Sequence, residues 1–397
     1  MSTVLDPAIA LSPEVKALND EVVALRRDFH AHPELLFDLP YTSGKVAEYL
    51  QKLPGIEVRT GIGKSGVVAL IDSGKPGRTV LYRADMDALP LLEETGAPYA
   101  SQTRGLMHAC GHDGHTAVAL VMAKLLAAEK ALFKGRVAIV FQPAEEGGDG
   151  AGAMIKDGVM DWLKPDITFA MHLNNDEPVG TIGAKVGGVY AGSNEFQIKL
   201  TSKGGHGAAP HQAPDLIVVA SHLVLALQTV ISRSVDPCDT AVVTVGKLTA
   251  GTKSNILPTV AHLEGTVRTF DKKLTDHIKG RIETIAQAIA QAHGAGYEFA
   301  FQYNYPPTIN AEGPTALVRG VAEELVGKDR VSNFWTTGSE DMSRFLELVP
   351  GCYWSIGSRH PDASKTFPHH SGRFNPEESA LPLAVEFGMR VVRKALA

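Results

Sequence analysis

The sequence contains little cysteine, which limits how the chain can be held together. Its 397 residues include three cysteines, Cys110, Cys238 and Cys352, and these are odd in number and far apart. A disulfide framework is therefore not expected, and the thiols should be reduced. Residues 1–13 also contain no basic side chain, whereas a secretory signal starts with one. We predict a cytoplasmic protein.

Clusters of basic residues and long apolar runs are also missing. The formal net charge is −6, and no stretch concentrates Lys and Arg, so a nucleic-acid partner is not expected. The longest apolar run, residues 216–230, is interrupted by Ser221, His222 and Gln228. It falls short of the roughly 20 apolar residues that cross a bilayer. We therefore predict no membrane span.

The composition is that of a folded chain with more than one domain. Hydrophobic residues make up 44% of the sequence and charged residues 21%, which excludes an intrinsically disordered protein. The length is more than twice the roughly 150 residues expected of one domain. Two domains are the first expectation.

Short apolar runs alternate with helical segments in the first half of the chain. Strands are predicted at residues 67–71, 79–83, 137–141 and 167–171, and amphipathic helices at about 13–29 and 115–129. This alternation is typical of an α/β fold with a doubly wound, mainly parallel sheet that is buried on both faces.

The pattern changes after Gly192. Strands are predicted at residues 195–202, 240–248, 259–270 and 297–303, with helices at 214–232 and 275–293. The resulting order, βαββαβ, is ferredoxin-like and predicts an inserted domain at residues 190–304. The larger domain is then discontinuous and comprises residues 1–189 and 305–397.

Side chains that can bind metal follow several of the predicted strands. Ligands of open α/β sheets bind outside the carboxyl ends of the strands, and four separate segments bring such side chains to that edge. They are Asp85, Asp87, Cys110, His112, Glu145, Glu146 and His172, the last of which is expected to close the strand at 167–171. A histidine at a strand end or a pair of glutamates is, taken alone, more often a solvated surface feature. Their convergence favours a metal site.

The residue types suit metal-assisted hydrolysis. A thiolate, imidazoles and a carboxylate can hold a borderline-soft divalent cation, and a neighbouring carboxylate can take a proton from the attacking water. We therefore predict Glu146 as a ligand and Glu145 as the general base. Two cations about 3.5–4 Å apart would share one bridging ligand, and the thiolate of Cys110 could be that bridge.

Three strings of the sequence carry a family resemblance. They are MHACGHDGH at 107–115, QPAEEGG at 142–148 and GGHGAAPH at 204–211. They resemble the aminoacylase/carboxypeptidase family of metallohydrolases, in the amidohydrolase branch that includes hippurate hydrolases and indole-acetyl-amino-acid hydrolases. The likeness runs in order from about Arg26 to the last predicted helix.

The resemblance implies a role for each matching residue. The family's metal ligands fall on Cys110, His112, Glu146, His172 and His370, with Glu145 as the base. His369 competes with His370 for the last position, and Phe374 favours His370 because an aromatic residue follows that ligand in the family. In the inserted domain, His206 resembles a histidine that stabilises the oxyanion in the partner subunit's active site. Asn255 and Arg268 resemble the positions that hold the substrate carboxylate, although both could be structural strand residues.

The sequence departs from the wider family in two places. Asp85 stands where many members have a histidine, so we expect Asp85 and Asp87 to orient other residues from outside the metal shell. The stretch that follows His370 also lacks the Asn-Pro-x-Tyr-Asp string of many hippurate-hydrolase-like members, which leaves the substrate open. Supporting roles also stay open for His108, Asp113, His115 and His211, as does the role of residues 338–341.

The predicted function is a metal-dependent amidohydrolase that cleaves the amide bond of N-acyl-L-amino acids. A carboxypeptidase or dipeptidase acting on short peptides is the alternative, because both substrates present a carbonyl and a free carboxylate. A silent ligand-binding relative is a further alternative, but it need not keep a base such as Glu145. We expect two divalent metals per subunit (Zn, Mn, Co or Ni), and a homodimer formed through the inserted domain. A zinc deaminase is disfavoured because its Pro-Cys-x-x-Cys motif is absent.

Overall fold

A computed structural model describes residues 5–397 of the chain. The chain divides into two compact units. Unit one comprises the described residues up to Val189 together with Ile309–Trp335 and Asp341–Ala397. Unit two comprises Tyr190–Thr308 and the short segment Thr336–Glu340.

The strands, in chain order, are β1 Ile56–Ile62, β2 Gly66–Asp72, β3 Thr79–Asp85, β4 Arg136–Gln142, β5 Ile167–Pro178, β6 Ile182–Gly183, β7 Gly187–Tyr190, β8 Gly192–Thr201, β9 Gly205–His206, β10 Ala241–Ala250, β11 Ile256–Leu257, β12 Val260–Thr269, β13 Gly296–Tyr305, β14 Thr308–Asn310, β15 Val331–Ser332 and β16 Gly351–Arg359.

The α-helices, in chain order, are α1 Pro13–Ala17, α2 Asn19–Ala31, α3 Pro40–Gln51, α4 His112–Ala128, α5 Gly150–Lys156, α6 Val159–Leu163, α7 Leu216–Ser234, α8 Lys272–Ala292, α9 Glu312–Val326, α10 Ser343–Leu348 and α11 Ala380–Leu396.

Unit one is built on an eight-stranded sheet with the order β1-β2-β4-β3-β5-β16-β6-β15. Its four central strands, β4, β3, β5 and β16, are parallel to one another. Every residue of β3 is buried, as expected of a strand covered on both faces. The central strands and the packed helices α2, α4 and α11 share one hydrophobic core.

The α/β class is confirmed. The sheet is mixed, and four of its seven strand pairs are parallel. Two of the antiparallel pairs lie at one edge, where β1 returns directly into β2 and β2 pairs with β4. On the other side, β6 is antiparallel to β16. A short connection permits only an antiparallel pair, whereas parallel neighbours need a crossover.

Two predicted boundaries in unit one are wrong. The helix predicted over residues 13–29 is interrupted at Leu18, whose N–H bonds to the carbonyl of Val15 and closes α1 before α2 begins. His172 does not close its strand, since β5 continues to Pro178. The pairing of β5 with β16 continues past this histidine, which is why the strand does not stop there.

Unit two is built on a four-stranded antiparallel sheet with the order β10-β12-β8-β13. Helices α7 and α8 pack against it, so the larger elements follow one another as βαββαβ. The small β9–β11 pair joins the loop after β8 to the loop before β12. The core lies between the sheet and the two helices.

Helix α7 has the length and apolar composition of a membrane span. Its buried residues pack in the core of unit two, which is also what the core helix of a globular domain does. This is weak support for a span, and the absence of one stays a prediction.

Candidate metal centre

The possible metal-binding side chains of unit one lie where the central strands end and α4 begins. Gly111 has a φ of 100°, a left-handed conformation that suits glycine, and α4 starts at the next residue, His112. Cys110 therefore lies just before the helix, while β3 and β4 end at Asp85 and Gln142.

Three groups of possible ligand atoms form at this place, each with its atoms within 4.8 Å of one another. Cys110 belongs to two of them, one with His112 and Glu146 and the other with His172 and His369. The third group is Asp85, His112 and His115. The shared thiol is arranged as a bridge between two ions would be.

Two of the imidazoles present Nε2 to the cluster. Nδ1 of His112 donates to the carbonyl of Asp87 at 2.8 Å, and Nδ1 of His172 donates to the carbonyl of Leu173 at 2.6 Å. A histidine that donates one N–H to a carbonyl has its other nitrogen free for a metal. Nε2 of His172 lies 3.4 Å from the sulfur of Cys110.

Three buried atoms in this cluster make no hydrogen bond among the described residues: Nε2 of His112, Nδ1 of His369 and Oε1 of Glu146, although the last lies 3.3 Å from Nε2 of His370. Leaving buried polar atoms unbonded is costly, so each such atom calls for a ligand. Imidazole nitrogens and carboxylate oxygens are good donors to a divalent cation. The donor set of thiol, imidazole and carboxylate therefore fits a metal.

Asp87 holds the turn that contains the two glutamates. Its Oδ1 accepts from the backbone N–H of Glu145 at 2.9 Å, and its Oδ2 accepts from that of Glu146 at 3.1 Å. Ala144, which precedes them, has a φ of 55°, an unfavourable conformation for alanine. The buried carboxylate of Asp87 thus stabilises a strained turn, whereas the sequence predicted only that this residue orients others.

The electrostatics of the cluster favour a cation. Burial raises the pKa of the Cys110 thiol well above its ordinary value, and the neighbouring carboxylates of Glu146, Glu145 and Asp85 add to the effect. Burial alone would lower the pKa of His112, but Asp85, Asp87 and Glu146 raise it to about 10. A divalent cation among these carboxylates would offset their repulsion and favour the thiolate.

Glu145 and Glu146 differ in their surroundings. Oε2 of Glu145 lies 4.0 Å from Nε2 of His112. Oε1 of Glu146 lies 3.3 Å from Nε2 of His370. Glu146 therefore lies between two possible ligand histidines, as a ligand would, and Glu145 lies at the side of the cluster.

The two candidates for the last ligand are distinguished by their hydrogen bonds. Nε2 of His369 accepts from the backbone N–H of Asn175 at 3.2 Å, and its ring lies against Phe374 at 4.6 Å between centroids with a tilt of 38°. Its Nε2 lone pair is therefore occupied, but its buried Nδ1 has no partner among the described residues. His370, with a φ of 62°, has its Nε2 beside Glu146, whereas His369 shares a ligand group with Cys110 and His172. The choice of His370 stays a prediction.

Asp85, a member of the third group of possible ligands, is also part of a buried hydrogen-bond network. Its Oδ1 lies 2.6 Å from Nδ1 of His115, and its Oδ2 accepts from Arg83 at 2.6 Å. Arg83 also donates to Asp341 at 2.9 Å, and Gln142 bonds to both. Burial alone would raise the pKa of Asp85, but His112, Arg83 and His115 hold it well below its usual range.

The other histidines and acids of the motif strings lie elsewhere. Asp113 on α4 pairs with Arg26 at 2.8 Å and with His30 at 2.7 Å, both of them on α2. His108 is buried and has no hydrogen-bond partner among the described residues. His211 lies in unit two, in a short 3₁₀ turn.

The three candidate residues of the inserted segment lie in unit two. His206 is exposed on β9 opposite Ile256 of β11, which brings it next to Asn255. Nδ1 of His206 accepts from the N–H of Ala208 at 3.0 Å, which leaves Nε2 for another partner. Arg268 lies on β12, where its guanidinium donates to the carbonyl of Val267 at 3.2 Å.

The roles of Arg83 and Asn175 and the buried position of Asp341 were not predicted from the sequence. Each acts through partners that are distant along the chain, and Arg83 and Asp341, for example, are 258 positions apart. A polar residue within or after an apolar strand was the one cue available.

Comparison with known proteins identifies the family of this chain. Residues 81–394 match the family described as Peptidase family M20/M25/M40. The chain is 37% identical over 383 residues to thermostable carboxypeptidase 1 of Saccharolobus solfataricus, covering 96% of both chains. It is 38% identical over 344 residues to N-acetyl-L-cysteine deacetylase of Bacillus subtilis, covering 87% of this chain and 82% of the relative.

The chain is also similar to a solved structure of the same family. The Bacillus subtilis YXEP protein, described as a dinuclear metal binding peptidase from the M20 family, superposes with a TM-score of 0.85 at 33% identity. The match covers 96% of this chain and 99% of the other.

The family match and the named relatives identify an α/β hydrolase that acts on C–N amide bonds, and the donor set fits a metal. The chain belongs to peptidase family M20/M25/M40, and the predicted family is confirmed.

Proposed function

We propose that this hydrolase cleaves the amide bond of N-acyl-L-amino acids and releases a carboxylic acid and the free amino acid. The observation that carries the proposal is Glu145 beside a cluster in which buried Nε2 of His112 and Oε1 of Glu146 lack hydrogen bonds. A base next to unsatisfied ligand atoms is what hydrolysis requires.

Five residues would hold the metal: Cys110, His112, Glu146, His172 and His370. Two divalent ions per chain, of Zn, Mn, Co or Ni, would polarise the scissile carbonyl and make water more acidic. Cys110 is proposed as the bridge because its sulfur lies close to His172 on one side and to His112 and Glu146 on the other.

Glu145 is proposed to move the proton. Its carboxylate would take a proton from the attacking water and then give it to the nitrogen of the departing amino acid. The carboxylate of Asp87 accepts from the N–H groups of Glu145 and Glu146 and so holds the backbone of the turn that carries the base.

Unit two is proposed to recognise the substrate. Arg268 suits a carboxylate because its planar guanidinium pairs with both oxygens, and Asn255 would add a donor from its side-chain amide. Nε2 of His206 would donate to the developing oxyanion. The exposed positions of His206 and Asn255 support contact with a ligand.

A second candidate function is the removal of a C-terminal residue from a short peptide. Relatives of similar identity are named both carboxypeptidase and deacetylase, so similarity alone favours neither. A silent ligand-binding relative is disfavoured, because the chain has a base beside a ligand cluster.

We also propose a homodimer formed through an inserted lid and dimerisation domain, residues 190–304, in a cytoplasmic protein. Two features of unit two support an interface between copies: β10 is an edge strand, and α7 exposes Ile217, Val218 and Leu225. The three cysteines are free thiols, which supports a reducing compartment.

A substrate panel tests the proposal. Metal-depleted protein would be reloaded with Mn, Zn, Co or Ni and offered N-acetyl, N-benzoyl and indole-acetyl amino acids beside dipeptides and longer peptides. We expect rapid release of amino acid from at least one N-acyl class, and loss of that activity on chelation. Faster cleavage of peptides would favour the carboxypeptidase, and no turnover with any metal would contradict an enzyme.

A further inference from the structure

His115 makes hydrogen bonds that the metal site does not require, and they reach the strand that carries ligand His172. Nε2 of His115 accepts from the backbone N–H of Leu173 at 3.0 Å. Nδ1 of His115 lies 2.6 Å from Oδ1 of Asp85. Both ring nitrogens are therefore occupied, which excludes His115 as a metal ligand.

The bond to Leu173 replaces a missing strand contact. β3 pairs with β5 only as far as Arg83 and Ala170, while β16 continues to pair on the other side of β5. His115 supplies an acceptor to β5 where β3 no longer does. The peptide group between His172 and Leu173 is thus held from the α4 side.

The same imidazole packs on the ligand. The ring centroids of His115 and His172 are 4.6 Å apart with an interplanar angle of 70°, an edge-to-face contact. On its own Nδ1, His172 donates to the carbonyl of Leu173. Both the backbone and the ring of His172 are therefore constrained, and Nε2 points to the sulfur of Cys110.

The tautomer of His115 follows from its partners. Nε2 accepts from an N–H and must be unprotonated, so the ring proton is on Nδ1 and is donated to Asp85. Asp85 is fully buried and is fixed in turn by Arg83. A carboxylate bonded to one ring nitrogen sets the tautomer that the other nitrogen presents.

We propose that His115, with its tautomer set by Asp85, is a positioning residue that fixes His172 for metal binding. The inference rests on the proposed function, because it assumes that His172 is a ligand. It gives Asp85 a definite task at the place where many family members have a histidine.

The test compares four variants by Co²⁺ titration of metal-depleted protein, followed by visible absorption. In His115→Phe the ring is kept but both bonds are lost, and we expect affinity to fall about 10–100-fold. In His115→Gln the side-chain oxygen can still accept from Leu173, and we expect most of the affinity to return.

Two further variants serve as references. His108→Phe makes the same change in a buried imidazole of the same motif that has no hydrogen bonds, and we expect affinity close to wild type. His172→Ala should lose a metal site outright. If His172→Ala binds normally, the proposed ligand set is wrong; if it fails while His115→Phe binds normally, only the positioning role is overturned.

Folding is separated from positioning by two measurements. Thermal unfolding of the metal-free variants reports any general loss of stability. A loss of metal affinity caused only by such instability would not be reversed selectively in His115→Gln. In the wild-type protein, ¹⁵N-histidine NMR should show His115 with Nε2 unprotonated and Nδ1 protonated. The opposite tautomer, or equal loss in the Phe and Gln variants, would overturn the proposal.

Discussion

Cys110 belongs to two groups of possible ligands. Whether its sulfur binds metal is therefore the first question to test at the scale of single residues. We predict that Co²⁺ bound to the protein shows a sulfur-to-metal charge-transfer band in the near ultraviolet, because a ligating cysteine is a thiolate. Cys110→Ser should abolish the band. Cys238→Ser, which removes an exposed thiol, is the control and should leave it intact. A band that survives in Cys110→Ser would exclude this residue as a ligand.

The neighbouring histidines provide a second residue-scale prediction. His370→Ala should weaken metal binding by about 10-fold or more, since it removes a proposed ligand. His369→Gln should bind metal nearly as well as wild type, because a glutamine oxygen can still accept from the N–H of Asn175. Calorimetric titration gives the metal affinity of both variants. If His369→Gln binds metal more weakly than His370→Ala, His369 is the ligand.

At the scale of elements, a single glutamate joins the first and last helices of unit one. Oε2 of Glu386 on α11 accepts from the N–H and the hydroxyl of Ser12, which precedes α1, and Oε1 accepts from Arg390 at 2.6 Å. We predict that Glu386→Ala lowers the free energy of unfolding at pH 7 by about 1.5–3 kcal/mol, the range for hydrogen bonds to a charged group.

The pH dependence of this effect follows from the pKa of Glu386. Burial alone would raise it, but the bonds from Ser12 and Arg390 hold it below its ordinary value. The stabilisation is therefore present above the pKa of the unfolded chain and is lost as pH falls through the lower, folded value. The control is Glu324→Ala, which changes an exposed residue on α9. The free energies of unfolding of the two variants, measured with denaturant, should differ at pH 7 and become equal in acid. A difference that does not change with pH would contradict the assignment.

The sequence allowed prediction of elements where local pattern decides the structure. The buried runs that became β2, β3 and β4 were visible as apolar segments, and the Gly-flanked motif before α4 indicated a helix start. The extension of β5 past His172 was not visible, because its polar end, through Asn174 and Asn175, is stabilised by partners from β16 and the segment near His369. Such contacts depend on the assembled fold.

The candidate site was predictable for the same reason, but only in part. Residues that bind metal sit in short motifs, whereas the residues that hold them are scattered. Asp87 could be named, but its bonds to the N–H groups of Glu145 and Glu146 could not. The hydrogen bonds by which Arg83 links Asp341 to Asp85 were not predictable either.

At the scale of the whole molecule, the proposed dimer makes a prediction about activity. If His206 acts in the partner's active site, His206→Ala and Glu145→Gln should each be nearly inactive alone, the first losing about 10²–10³ in turnover. Mixing them under conditions that exchange subunits should restore activity, because one site in each mixed dimer has both groups. A mixture that stays inactive, with exchange demonstrated by tagged subunits, would place His206 in its own subunit's site.

The central claim is that Glu145 is the base of a metal-dependent amide hydrolysis. Its most direct test is the turnover of Glu145→Gln on the best N-acyl amino acid of the panel, at a metal content matched to wild type by elemental analysis. We predict normal metal binding with turnover reduced by about 10²–10⁴, the typical cost of losing a proton-transfer group. A variant that keeps more than about a tenth of wild-type turnover, well outside that range, would contradict it.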